Sequence, residues 1–278
     1  MNPGAAPFQP FFLPAAHGER FCIFHPAAGT ARGAVVYLHP FAEEMNKSRR
    51  MAALQSRMLA AHGYGVLQID LFGCGDSSGD FGDASWAAWR DDVALAVRWI
   101  RQRFAGPLHV WGLRLGALLG LDYARTCDEE IQSFLLWQPI TSGSSFLTQF
   151  LRLCVAAGFM SDVALSVSTE QLRGDLKKGA ALEIAGYELS ATMAGAIDGL
   201  ELADLAPQGR SVLWLEIGQQ ASASLAPASR RVADAWTSRG IAVDACCVPG
   251  PPFWNTIEIS ECPALLAETT RLLLGRAQ

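Results

Sequence analysis

No apolar stretch in this 278-residue chain approaches the ~20 residues needed to cross a bilayer. The longest greasy zone, Phe146 to Met160, is interrupted by Gln149 and Arg152. Long basic runs are missing too, and the net charge is −5, which argues against nucleic acid as a partner. Met1 to Phe12 lacks the charged start and apolar run of a secretion signal. The seven cysteines are odd in number and none has CxxC spacing. They make neither a zinc site nor a closed disulfide set, and read as small apolar fillers in a reducing compartment, the cytoplasm. No metal and no cofactor is expected. Histidine is sparse: His17, His25, His39, His62 and His109 are the whole set, and none follows.

What the chain does hold is apolar residue in quantity. Half of its residues are hydrophobic, enough for a large core. Short apolar runs alternate with longer helical patterns. Ala34–His39, Val66–Asp70, Leu108–Trp111, Ser133–Trp137, Val212–Ile217 and Val243–Val248 read as strands. Helices are predicted over Lys47–His62, Ser85–Phe104, Leu115–Arg125, Pro227–Arg239 and Pro263–Leu274. The second carries Trp86, Trp89, Val93, Val97 and Ile100 on one stripe. Pro10 to His25 suggests an antiparallel hairpin turning at Ala16 to Glu19. The alternation predicts a mostly parallel sheet flanked by helices. It stops between Thr141 and Leu205, where two or three helical stretches appear without a strand–helix unit. Residues 1–140 and 206–278 are therefore expected to form the core, and 141–205 an inserted lid. Ligands in such sheets bind beyond the carboxyl ends of the strands.

Three motifs fall at those ends. Trp111-Gly112-Leu113-Arg114-Leu115-Gly116 has the spacing of the G-x-S-x-G elbow, a sharp strand-to-helix turn, with Arg114 at the serine position. Asp70-Leu71-Phe72-Gly73-Cys74-Gly75-Asp76-Ser77-Ser78-Gly79 resembles a glycine-rich loop of α/β hydrolases, and also fits a purely structural turn. His39-Pro40-Phe41 follows the first central strand, where an α/β hydrolase places one oxyanion-hole amide. Pro40 has no N–H, so Phe41 is the candidate donor. His39 is either a polar group of the site or a strand-end residue bonded to a loop carbonyl. Together these predict an α/β-hydrolase fold.

The catalytic set of that fold runs nucleophile, acid, histidine along the chain. Here the elbow holds arginine, the segment after Ile217 reads Gly218-Gln219-Gln220, and the loop after Val248 reads Pro249 to Trp254 without histidine. Losing the nucleophile or base costs on the order of 10⁶ in turnover. A guanidinium in a closed site needs a partner, since leaving it unpaired costs several kcal/mol. Glu43 and Glu44, expected in the loop after His39, are the candidates. Arg114 then either pins that loop structurally, or binds a small anionic or acyl ligand or a partner protein, which would meet Phe41, Glu44, Arg114, Leu115, Gln138, Gln219 and Trp254. Alternatively, His39 or Glu43 activates water while Arg114 stabilises a developing anion. Glu183, Tyr187 and Glu188 either face a ligand or form a solvated surface.

His39 to Met51, Asp70 to Asp80, Trp111 to Ala117 and Pro251 to Trp254 (HPFAEEMNKSRRM, DLFGCGDSSGD, WGLRLGA, PPFW) resemble the exosortase A system-associated hydrolase 2 family over nearly the whole chain. The resemblance implies the α/β-hydrolase superfamily, a place in a bacterial exosortase/PEP-CTERM locus with exopolysaccharide genes, and a second α/β hydrolase as companion. It supplies no substrate and no catalytic residues.

Overall fold

A computed structural model describes residues 7–160, 168–218 and 224–275. The chain opens with the hairpin β1 (Gln9–Pro14) and β2 (Glu19–His25), followed by β3 (Gly33–Leu38), α1 (Glu43–Ala61), β4 (Tyr64–Ile69), α2 (Trp86–Arg101), β5 (Leu108–Leu113), α3 (Leu115–Ala124) and β6 (Ser133–Trp137). Next come α4 (Gly143–Met160), α5 (Thr169–Lys177), β7 (Leu182–Ile184), β8 (Tyr187–Leu189) and α6 (Ala191–Asp198). The chain closes with β9 (Ser211–Gly218), α7 (Pro227–Ser238), β10 (Val243–Pro249) and α8 (Pro263–Gly275). Eight strands form one sheet in the order β1-β2-β4-β3-β5-β6-β9-β10. All its pairings are parallel except β1 with β2 and β2 with β4. This is the α/β-hydrolase architecture expected from the alternation of runs.

Central strands buried on both faces lose the polar alternation of a half-exposed strand. In β3, Ala34, Val36 and Leu38 pack into the core shared with α2 and α3, while Val35 and Tyr37 pack towards Met51 and Leu59 of α1 and Leu265 of α8. Two corrections concern local structure. Helix α1 begins at Glu43, not Lys47, because a positive φ of 51° at Ala42 turns the chain directly into the helix. Glu43 and Glu44 are thus its first turn, where the helix dipole favours negative charge. The segment between β6 and β9 also contains the two-stranded hairpin β7–β8, turned by Ala185 and Gly186 with φ of 51° and 82°.

The glycine-rich segment is a structural loop. Arg49 grips both Asp70 oxygens at 3.2 and 2.8 Å, and Ser77 Oγ donates to Asp70 O while accepting from Phe21 N. A Cβ on Gly75 would lie 2.0 Å from Asp70 Oδ2. The loop is thereby tied to β2.

Buried histidines give the fold an acid limit. His109 in β5 bonds Ser133 Oγ through Nδ1 at 2.7 Å and meets the Tyr64 ring edge-on. Burial, with a smaller push from Arg101, lowers its pKa to about 4. The unfolded chain takes that proton near 6.5, so stability falls as pH drops from there to about 4. Going from about pH 7.5 to about pH 5, His109 accounts for about 2 kcal/mol of lost stability. Urea titrations at both pH values should show His109→Gln losing less over this interval than the wild type. Equal losses in the two proteins would remove His109 from the account.

Candidate functional site

The turn from β5 into α3 is tight enough to demand two glycines. A Cβ on Gly112 would sit 2.4 Å from Ala117 Cα, and one on Gly116 would sit 2.4 Å from Leu38 O. Arg114, between them, adopts φ 55° and ψ −117°. A non-glycine residue there carries about 1–3 kcal/mol of strain. The surroundings hold it: Arg114 N donates to Trp137 O at 2.9 Å, and Ala117 N donates to Arg114 O at 3.1 Å. The elbow geometry is therefore kept with arginine at its apex.

The guanidinium meets Glu44. Nε donates to Oε1 and Oε2 at 3.1 and 3.3 Å, and Nη2 donates to Oε1 at 2.9 Å. Both side chains are mostly but not fully buried, at 16% and 20% exposure. The Trp254 ring lies 5.4 Å from Arg114 Cζ, a cation–π contact from the loop after β10. Burial pushes the Glu44 carboxyl above the usual range, and Arg114 opposes that shift. Nη1 of Arg114 has no acceptor among the described residues.

Beside this pair opens a cleft of about 310 Å³. Arg114, Glu43, Glu44, Lys47, Gln149 and Asn255 give it polar groups; Phe41, Phe146, Phe150, Leu153 and Trp254 give it apolar walls. The Phe41 ring is buried edge-on to Phe146 and Phe150 at 5.7 and 5.2 Å. Its backbone N–H has no acceptor among the described residues. Leu115 is buried in the core at the start of α3 and does not line the cleft.

Other candidate residues lie elsewhere. His39 is buried, with Nδ1 donating to Pro40 O at 2.7 Å and Nε2 accepting from Leu71 N at 3.2 Å. The Leu71 amide can only donate, which fixes the neutral tautomer, and burial lowers the ring's pKa. His39 lines a separate small cavity with Tyr37, Arg49 and Asp70. The structure thus gives it the strand-end role and does not bring it to Arg114. Gln138, with φ 43°, accepts from Ile217 N at 2.9 Å and staples β6 to β9, so it is no part of the cleft wall. Gln219 lies outside the described residues. Glu43 lines the cleft, but its Oε2 already accepts from Asn46 Nδ2 and Tyr187 Oη at 3.0 and 3.1 Å. Burial, followed by the Glu43 carboxylate, pushes the Tyr187 phenol up to about 12. Glu183 and Glu188 are exposed.

A carboxylate missed in the sequence, Glu216, is buried near the end of β9. It accepts from Trp214 Nε1 at 3.1 Å and from Ala226 N at 2.9 Å, which commits both oxygens to the fold. The α4 residues of the cleft were also missed as site residues. Their spacing, Phe146, Phe150 and Leu153, is the i, i+4, i+7 pattern of one helix face and could have found them.

Residues 29–183, more than half of the chain, match the family model described as serine aminopeptidase, S33 (Hydrolase_4). The chain belongs to this S33 family. The S33 match spans the elbow and α1, and so includes the Arg114–Glu44 pair. Among curated proteins, human Protein ABHD12B is 27% identical to this S33 chain over 131 residues. That match covers 46% of this chain and only 35% of the human protein, about a third of its length. Among solved structures, Est1E from Butyrivibrio proteoclasticus with bound ferulic acid superposes with a TM-score of 0.71 at 14% identity, covering 95% of this chain and 98% of that one. A soluble variant of monoglyceride lipase from Saccharomyces cerevisiae, in complex with a substrate analogue, gives 0.66 at 15% identity over 96% and 94%. At these identities the likeness is one of fold. No helix among the described residues is long and apolar enough to cross a membrane.

Proposed function

We propose that this S33-family chain is a binding protein built on a hydrolase scaffold, holding a small anionic or acyl ligand by its oxygen-bearing head at Arg114. The observation that carries this is the uncommitted Nη1 of Arg114 beside a cleft with apolar walls. A guanidinium gripped by Glu44 through Nε and Nη2 is pre-oriented, so little side-chain entropy is lost on binding an oxygen. Serine chemistry has no support here, because the elbow carries no hydroxyl and no histidine follows His109. The segment 141–205 acts as the lid, since its α4 and its Ala185 turn both line the cleft. The cysteine pattern supports a cytoplasmic location, and the resemblance to the exosortase-associated family supports a role in an exopolysaccharide locus beside a second α/β hydrolase.

A charge-assisted hydrogen bond contributes about 1.5–3 kcal/mol. Arg114→Ala should therefore weaken carboxylate binding by roughly 10- to 100-fold, read as loss of ligand-induced thermal stabilisation. Equal stabilisation of wild type and variant would remove Arg114 from the ligand contact. A second reading rests on Glu43, whose carboxylate lines the same cleft. There it activates water for ester or thioester hydrolysis, with Arg114 stabilising the anion. Turnover lost in both Arg114→Ala and Glu43→Gln would establish that reading over the first.

A further inference from the structure

We infer that this chain pairs with a second copy of itself through β10, the open edge of its sheet, in an antiparallel ladder centred on Ala245. The two edges of the sheet differ in what they offer a partner. At the β1 edge, Glu19 N and Phe21 N of β2 donate to Ser78 Oγ and Ser77 Oγ at 2.9 Å, away from β1. Arg20, Cys22 and Phe24 therefore turn their backbone groups to β1, opposite Leu13, Phe11 and Gln9. That leaves Pro10, Phe12 and Pro14 pointing outward. Proline has no N–H, so a further strand finds almost no ladder there.

At the β10 edge, Val212 N donates to Ala242 O at 2.8 Å and Gly250 N donates to Gly218 O at 3.2 Å. The even-numbered residues of β10 thus face β9, and Val243, Ala245 and Cys247 point outward. Their N–H groups have no acceptor among the described residues. Ala245 is exposed in the middle of the row. Such a bare row of donors and acceptors is a template for strand pairing.

The occupant is a second copy because the row matches itself. About a twofold axis at Ala245, Val243 lies opposite the other copy's Cys247, and Ala245 opposite its own equivalent. Every outward N–H then meets a carbonyl. Centring on Asp244 instead would set two carboxylates face to face. Centring on Cys246 would set Val243 opposite Pro249, which has no N–H and whose carbonyl already accepts from Cys262 Sγ at 3.5 Å. Head-to-tail pairing of β10 with β1 would build an open filament, which Pro10 and Pro14 prevent. The ladder alone is smaller than the about 1,200–2,000 Å² of a stable interface. The remainder comes from an open groove of about 600 Å³ between β10 and α8, lined by Glu268, Arg271 and Leu272. An axis perpendicular to the sheet brings the other copy's α8 alongside this groove. The groove's acids, Asp244 and Glu268, lie close to Arg271, which donates to Glu268 at 2.8 and 2.6 Å. In this dimer the carboxyl ends of the two sheets point in opposite directions, so the Arg114 clefts open at opposite ends and bind independently.

The test is sedimentation equilibrium of the full chain at micromolar concentration. The wild type should have twice the 29.9 kDa mass of one chain. Ala245→Pro removes an N–H that bonds nothing within the chain, and should halve the mass while keeping the circular-dichroism spectrum. Ala245→Lys, which sets two like charges across the axis, should do the same. Arg114→Ala should remain a dimer. In the ladder the two Ala245 Cα atoms are about 5.5 Å apart, within the span of a disulfide. Ala245→Cys should therefore give a covalent dimer on oxidation, and the wild type should not. A single-chain mass for the wild type, a dimer that survives both Ala245→Pro and Ala245→Lys, or no covalent dimer in Ala245→Cys would overturn the inference.

Discussion

Placing serine at the elbow, Arg114→Ser, leaves hydrolysis of p-nitrophenyl acyl esters at the buffer blank, roughly 10⁶-fold below a serine hydrolase with its triad complete. The turn itself is ready for a nucleophile, since Gly112 and Gly116 keep the approach that the motif needs. What is missing is a histidine base, and the cleft carboxylate Glu43 already accepts from Asn46 and Tyr187. Among the histidines, the one nearest the strand ends is His39, whose two nitrogens are committed to Pro40 and Leu71. The loop after β10 presents Trp254, and the buried carboxylate of β9, Glu216, is engaged by Trp214 and Ala226. An unactivated hydroxyl at physiological pH is a poor nucleophile. A circular-dichroism spectrum matching wild type would show that the variant is folded. Fluorophosphonate labelling at position 114, or saturable turnover, would mean that a base has gone unrecognised.

The second large effect is on stability. Asp92→Ala should lower the free energy of unfolding by about 3–5 kcal/mol, the cost of stripping a buried charge of its partner. Arg20 Nε and Asp92 Oδ1 are 2.6 Å apart, with both side chains only 3% exposed. Asp92 Oδ2 also accepts from Phe72 N at 2.7 Å, so the substitution orphans an amide as well. Arg20 would keep its bond to His17 O and its place over the Phe72 ring, without a counter-charge. The pair links the β1–β2 hairpin end, the glycine-rich loop and α2 in one contact. Urea unfolding measures the effect. A double change, Arg20→Met with Asp92→Leu, should recover part of the loss because it removes the stranded charge. A loss under about 1 kcal/mol for Asp92→Ala would show the pair to be solvated.

The fold was largely legible because buried strands write themselves as short apolar runs. Ser133–Trp137 has the same bounds in sequence and structure, and the others differ by one or two residues. The start of α1 was not, because its first turn is acidic and its trigger, the backbone of Ala42, leaves no mark in the residue types. That misplacement left Glu43 and Glu44 interchangeable as partners for Arg114. On a helix they lie 100° apart, and only Glu44 faces the guanidinium. The β7–β8 hairpin escaped notice because three-residue strands show almost no period. Asp92 was hidden for a different reason: it sits among Trp89, Val93 and Ala96 on the buried face of α2, where a carboxylate needs a partner 72 positions away in the chain. Of the site, Arg114 and Trp254 could be placed because both follow strand ends. His39 and Gln138 also follow strand ends, but their side chains turn back into the fold.

The central claim is that arginine at the elbow makes a site that holds an acyl group without cleaving it. The most direct measurement mixes the purified chain with a radiolabelled decanoyl ester and counts, in the same tube, ester bound and decanoate released. The account predicts stoichiometric retention of intact ester, lost in Arg114→Ala, with release no faster than in buffer. Release above buffer that saturates with ester and disappears in both Arg114→Ala and Glu43→Gln would contradict it.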